Sequence, residues 1–285
     1  LSTGWVDTAQ AYLVAASINS ALPQNQGFAK GKVADLRISQ GIARYKGSFL
    51  PFPVQPFAVD ALDNDWSNTV LLLKGEGLNN STNLVDESVS AKSVAVAGNA
   101  RIVTTEKKFG SSSLYFVGSG DYLSVSSTSD LGLGTADFTL VMWVKPAVAP
   151  QTGTSMTLLD SRTSMGYAPF TASLYGNTNG TTLGFFDGSG NAYMQTSSPT
   201  IPIGSWSHVA WVRKSGVMSL YVNGVACVVS GGSAAAAGAI DFGSSLPLKI
   251  GIAADSSTGA YNGYLDNLRI TKGVARYNSS FTVPA

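Results

Sequence analysis

The sequence predicts an all-β protein: an antiparallel two-sheet jelly-roll sandwich, preceded by the C-terminal strands of a second, incomplete sandwich domain. Three observations carry this reading. Short apolar runs with period-two alternation recur between turn residues, whereas helical periodicity is weak almost everywhere. Thirty-one glycines and eleven prolines supply many tight turns, and only 12% of residues are charged, about half the usual share. A nineteen-residue segment is used twice: Gly31 to Phe49 returns as Gly263 to Phe281, sharing Leu-Arg-Ile, Gly-x-Ala-Arg-Tyr and Ser-Phe.

Taken in order, Val70 to Leu73 is a strand-length apolar run that stops at Gly75-Glu-Gly77, and Val94 to Ala97 is another. Leu114 to Val117 leads through Gly118-Ser-Gly120 into Asp121 to Val125, which reads as a hairpin. Phe138 to Lys145 carries Phe138, Leu140, Met142 and Val144 on one face and Thr139, Val141, Trp143 and Lys145 on the other. Both faces are largely apolar, as expected of a strand in the middle of a sandwich. Trp206 to Arg213 has the same character, and Leu183 to Phe186 reads as a strand with side chains on both faces. Val217 to Val222 and Val225 to Val229 flank Asn223-Gly224, a strong two-residue hairpin signal because both residues tolerate positive φ. Leu248 to Ile252 and Gly263 to Ile270 close the set.

The repeat sets the domain organisation. Upstream of the first copy, Tyr12 to Ile18 falls opposite Leu246 to Ile252, again an apolar run of strand length. Residues 1–50 therefore read as the last strands of a truncated domain, whose remaining strands must come from elsewhere to cover their edges. Three prolines in Pro51-Phe-Pro-Val-Gln-Pro56 exclude a central strand, so 51–67 is read as a stiff linker and 68–285 as a complete domain. Leu1 opens without a charged-then-apolar leader, and a fragment or processed chain is expected.

Composition excludes several function classes. Eighteen Lys and Arg against seventeen Asp and Glu leave a net charge of +1, no electrostatic footprint for nucleic acid. No apolar stretch approaches the roughly twenty residues of a helical membrane span, so membrane insertion is not expected. The one cysteine, Cys227, sits in Val-Ala-Cys-Val-Val and is read as a small, buried, inert strand residue.

Five segments occur in the order found in a known family: Leu114 to Val125, Asp137 to Pro146, Gly204 to Val212, Leu220 to Gly224 and Gly263 to Ile270. The chain resembles laminin-G-like domains of the concanavalin A-like lectin and glucanase superfamily across nearly all of 68–285. That resemblance implies a jelly roll of two curved antiparallel sheets. The Arg-Ile-x-x-Gly-x-Ala-Arg-Tyr ending resembles that of such domains in bacteriophage virion proteins and other large viral or bacterial surface proteins.

Catalysis is not expected. Glycosidases of the superfamily place alternate carboxylates of a Glu-x-Asp-x-x-Glu strand on one face, whereas Glu76, Glu87 and Glu106, the only glutamates, stand apart. His208, the sole histidine, is read as a core-associated residue, and Asp63-Asn-Asp65 as a solvated turn of the linker. The resemblance implies a candidate Ca²⁺ site through Asp86, Asp121 and Asp266, since Ca²⁺ is a hard ion that takes carboxylate and carbonyl oxygens. Each aspartate also has an ordinary reading: Asp121 accepts from its own turn, Asp86 caps a loop, and Asp266 pairs with Arg269 or Arg276. Ala34 stands in the first copy where Asp266 stands in the second. No cofactor is required by this reading, and Ca²⁺ is the one ion considered.

Glycan binding calls for aromatic rings with Asp, Asn and Gly amides nearby. Tyr167, Tyr175, Asp187, Asn191 and Tyr193 are the candidates, with Phe170, Phe185, Phe186, Asn177 and Asn179 in the same stretch. The repeated ending is expected to be structural, with Arg276 and Tyr277 packing a returning segment onto the sandwich edge. The expected function is a non-enzymatic structural and adhesion module of a virion surface or tail appendage. Its expected partners are other surface-assembly subunits in an oligomer, and host-surface glycans. The alternative is a secreted or cell-surface bacterial lectin-like adhesin with bound calcium.

Overall fold

The computed structural model describes residues 63, 65–162, 169–187, 192–253 and 258–283. The chain divides into two compact units, Leu1–Leu62 and Asp63–Ala285, of which the second is described here. The truncated domain read over 1–50 and most of the linker lie outside the described residues.

Sheet A contains β1 (Thr69–Leu73), β3 (Arg101–Val103), β4 (Ser113–Val117), β7 (Phe138–Pro146), β12 (Ser207–Lys214), β13 (Val217–Val222), β14 (Val225–Ala226) and β18 (Asn262–Lys272). Sheet B contains β2 (Val94–Ala97), β5 (Tyr122–Val125), β8 (Ser155–Asp160), β9 (Phe170–Asn177), β10 (Gly180–Asp187), β11 (Ala192–Ser198), β15 (Val228–Gly232) and β17 (Leu248–Ile250). A small third sheet pairs β6 (Gly132–Gly134) with β16 (Ile240–Asp241). All ladders between these strands are antiparallel, so the chain folds as an all-β sandwich of two eight-stranded sheets, consistent with a jelly roll.

Alternation decides which face is which. Phe138, Leu140, Met142 and Val144 of β7 enter the core with Phe170, Ala172 and Leu174 of β9 and Leu183 and Phe185 of β10. Burying each large side chain contributes roughly 1.5–3 kcal/mol. Sheet A has the order β14-β13-β12-β7-β18-β4-β3, and β18 is its organising strand. One side of β18 pairs with β7 along its length; the other meets β4 through residues 262–265 and β1 through 268–271. A bulge between Asp266 and Arg269, with Asn267 at φ 50°, marks the exchange of neighbour. Gly263, the glycine that opens the repeated segment, has φ 145°, and a Cβ there would overlap the carbonyl of Lys145.

Two expected elements are corrected. Leu114 to Val125 is not a hairpin: β4 lies in sheet A and β5 in sheet B, so Gly118-Ser-Gly120 is a corner between sheets. Asp121, fully buried, fixes that corner by accepting from the N–H groups of Val117 and Asn99, both at 2.7 Å. Asn223-Gly224 does make the expected tight turn, with φ 50° and 77° and Val222 opposite Val225. The strand then breaks at Cys227, and β15 crosses to pair with β11 in sheet B. Cys227 is only partly buried, and burial pushes its thiol up to about 12, which keeps it protonated.

Candidate functional site

The outer face of sheet A is closed in two places. Residues 104–112 fold over its middle, where Lys108 and Phe109 donate their N–H groups to Asp266 at 2.8 and 3.0 Å. The Phe109 ring meets Trp143 edge-on at 5.6 Å, and the Lys108 ammonium stands 4.1 Å from the Trp143 ring centre. The segment after β18 covers the β12–β13 side. Thr139 Oγ1 donates to the carbonyl of Val274 and accepts from the N–H of Arg276, and the N–H of Phe281 donates to Gly224 at 2.8 Å. Tyr277 and Phe281 stack at 3.6 Å above Val141, Ala210, Val212 and Tyr221. The returning segment therefore packs on a sheet face rather than on the edge.

His208 is sealed beneath this cover, among Trp143, Tyr277 and Phe281. It is 3% exposed, its Nδ1 has no hydrogen-bond partner, and burial lowers its pKa to about 4. A neutral, enclosed imidazole has no route to a reacting group in solvent, which fits its reading as a core-associated residue.

One row on the same face stays open. Register places Arg101 opposite Tyr115, Tyr115 opposite Tyr264, and Tyr264 opposite Lys145. Trp206, just before β12, continues the row, because its neighbour Ser207 pairs with Val144. All five side chains are half-buried. Tyr115 and Tyr264 stack with ring centres 4.8 Å apart, and Trp206 lies 6.4 Å from Tyr264 at 55°. The Arg101 guanidinium lies 4.9 Å from the Tyr115 centre, and the Lys145 ammonium 5.8 Å from that of Tyr264. Lys145 is also paired with Glu106 at 2.7 Å. Burial raises the Tyr264 pKa, as do nearby Tyr115 and Glu106, so its hydroxyl is a donor at neutral pH. With their faces against one another, the two tyrosines present ring edges and phenol groups outward. Trp206 adds a tilted indole. Apolar bodies with polar tips of this kind suit a sugar, whose C–H faces and hydroxyls alternate.

The sequence did not single out this row, because its members are spread from position 101 to 264 and only strand register brings them together. A local signal existed: Tyr115 and Tyr264 are large aromatics on the face opposite Leu114, Phe116 and Leu265, where an exposed strand would carry polar residues.

The aspartates singled out for Ca²⁺ do not gather. No group of three or more His, Cys, Asp or Glu suited to a metal occurs among the described residues. Asp86 accepts from the N–H groups of Leu72, Ser88 and Lys92, each at 2.9 Å, and so caps its loop. Asp121 holds the sheet corner. Asp266 accepts from Lys108, Phe109 and Asn267, and does not pair with Arg269 or Arg276. Those arginines instead bind Asp63, which Arg276 reaches at 3.4 Å, and Arg276 also reaches Asp65 at 3.5 Å. Asp63 and Asp65 thus belong to the folded domain rather than to a solvated linker turn.

Of the residues expected to bind glycan, Tyr167 and Asn191 lie outside the described residues. Tyr175 sits half-buried on β9, and Asp187 closes β10 opposite Ala192. Tyr193 is 37% exposed and stands opposite Phe186 at 6.3 Å. Phe170 and Phe185 are core residues.

Comparison with known proteins accords with this architecture. A family model, Laminin_G_3, described as Concanavalin A-like lectin/glucanases superfamily, matches residues 117–276. No curated protein matches the chain. Among solved structures, the binding domain of Paraclostridial Mosquitocidal Protein 1 is similar at 17% identity and TM-score 0.53, covering 73% of this chain and 49% of that one. A structure of botulinum neurotoxin type C, whose cell entry depends on interaction with two ganglioside molecules, is similar at 15% identity and TM-score 0.52, covering 74% and 49%. The binding domain of botulinum neurotoxin DC in complex with rat synaptotagmin II follows at 15% identity and TM-score 0.50, covering 73% and 49%. The chain spans about half the length of these structures, and the likeness is one of fold.

Proposed function

We propose, from the premise that this chain belongs to the concanavalin A-like lectin/glucanases superfamily, that it is a non-enzymatic carbohydrate-binding module. We place it in a virion surface or tail appendage of a bacteriophage, where it serves structure and adhesion to host-surface glycans beside other assembly subunits. The observation that carries the binding reading is the Arg101-Tyr115-Tyr264-Lys145-Trp206 row, left open on a sheet face that is otherwise covered. The binding domain of Paraclostridial Mosquitocidal Protein 1 and botulinum neurotoxin type C, whose cell entry depends on two ganglioside molecules, share a similar fold and accord with recognition. The enclosed His208 and the scattered glutamates support the non-enzymatic reading. The setting rests on the repeated Arg-Ile-x-x-Gly-x-Ala-Arg-Tyr ending.

A glycan array probed with the full chain tests the binding reading. Binding that Tyr264→Ala weakens about tenfold, with an unchanged melting temperature, supports it; no binding at high protein concentration overturns it. Mass spectrometry of purified virions tests the setting, which fails if the chain is absent from them.

A further inference from the structure

The open row is electrically asymmetric, and we infer that it selects a carboxylate-bearing saccharide, whose anion docks on Arg101. This rests on the carbohydrate-binding reading and adds the ligand class. The two cations of the row are in different states. Lys145 already holds a carboxylate, that of Glu106. Arg101 has none: its Nη1 donates to the carbonyl of Asn99 at 2.8 Å, and no ion pair involves it among the described residues. A guanidinium presents five donors in a planar fork that fits a carboxylate bidentately, so most of that fork is available.

Its position is fixed by more than side-chain reach. Arg101 opens β3, the edge strand of sheet A, and its guanidinium lies over the Tyr115 ring. Stacking orders the long side chain in advance, which lowers the entropy lost when a ligand binds. The fork thus stands at one end of a line of phenol groups, with the Trp206 ring at the other. A saccharide laid along the line would place its hydroxyls over Tyr115 and Tyr264, an apolar face on Trp206 and an acidic group at Arg101. Glu106, beside Lys145, makes the far end nearly neutral, so the charge preference falls on one end of the ligand only. The first copy of the repeat carries Lys32 where Tyr264 stands, so the repeated sequence does not itself require an aromatic ring at this position.

The experiment is an array of neutral, sulfated, uronic-acid-containing and sialic-acid-containing oligosaccharides, probed with the full chain and with Arg101→Gln, Glu106→Gln and Tyr264→Ala. Arg101 is half-exposed at a sheet edge, so its replacement leaves the fold intact, checked by an unchanged melting temperature. The expected result is retention of a carboxylated saccharide that weakens with rising salt and falls tenfold or more in Arg101→Gln. Its methyl ester should bind wild type and Arg101→Gln alike, Tyr264→Ala should weaken both forms, and Glu106→Gln should strengthen the acid. Binding confined to neutral or sulfated members, or unchanged by Arg101→Gln, overturns this inference while the carbohydrate-binding reading stands. No binding to any member overturns both.

Discussion

The indole Nε1–H of Trp211, on β12, donates to the backbone carbonyl of Gly184, on β10, at 3.1 Å, a hydrogen bond that crosses the core from one sheet to the other. Trp211 is fully buried, so this hydrogen bond is shielded from water and losing it leaves its buried acceptor short of a donor. Replacing Trp211 with Phe removes the donor, leaves a buried carbonyl short of a partner and opens a void. We expect a loss of about 3 kcal/mol, read as a lower urea midpoint with an unchanged denaturant slope.

His208 makes stability fall in mild acid. Its folded pKa is about 4, against about 6.5 unfolded. The unfolded chain therefore takes up the proton first as pH falls below 6.5, and stability declines until the folded pKa is reached. The full difference is up to about 3 kcal/mol. His208→Phe suits the aromatic surroundings and should flatten this part of the curve between pH 6.5 and 4.5. An unaltered slope in that variant would refute the assignment.

Asp121 should behave as a structural carboxylate. Asp121→Ala removes the acceptor of two part-buried N–H groups at the sheet corner and leaves a void where a fully buried side chain stood, at a cost of about 2 kcal/mol, measured by chemical denaturation. Because the carboxylates of Asp86, Asp121 and Asp266 already accept N–H groups, those of the backbone and, for Asp266, the Asn267 amide as well, calorimetric titration with Ca²⁺ should show no heat and no rise in melting temperature. A saturable heat would place an ion on these residues after all.

Asp63 should matter to the domain although it precedes the first strand. Its carboxyl is partly buried, which would raise its pKa, but the hydrogen bond and charge of Arg269, with Arg276, hold it below the usual range. It therefore stabilises the fold above the unfolded value near 3.9, and that contribution is lost as pH falls through the depressed folded value. Solvent screening keeps the effect small. Asp63→Ala should cost about 1 kcal/mol, with Asp65→Ala costing less, resolved by thermal melts at pH 7 and pH 3.

Strand identity was legible where alternation is local. Phe138, Leu140, Met142 and Val144 fall on the core side as read, and Asn223-Gly224 turns as its residues require. Sheet membership was not legible, because it depends on distant partners. The glycines at 118 and 120 serve a corner as readily as a hairpin, and nothing in Val225 to Val229 announces that Val225 and Val228 serve different sheets. The same reason hid the open row. Arg101, Tyr115, Tyr264 and Lys145 are neighbours only through three ladders of sheet A, each joining residues well separated in the chain. The acidic partners of Arg269 and Arg276 escaped because Asp63 and Asp65 lie beside a proline-rich stretch that reads as linker.

The strand that the repeat encodes also dictates when the domain can be completed during synthesis. β18 stands between β7 on one side and β1 and β4 on the other, so sheet A stays divided until residues 262–272 have left the ribosome. Until then β1 waits for a partner about two hundred residues downstream, its hydrogen-bonding edge and leucines uncovered. Such a long-range pairing slows folding and lengthens exposure to aggregation. The second copy of the repeated segment is thus the piece whose arrival ends that vulnerable interval.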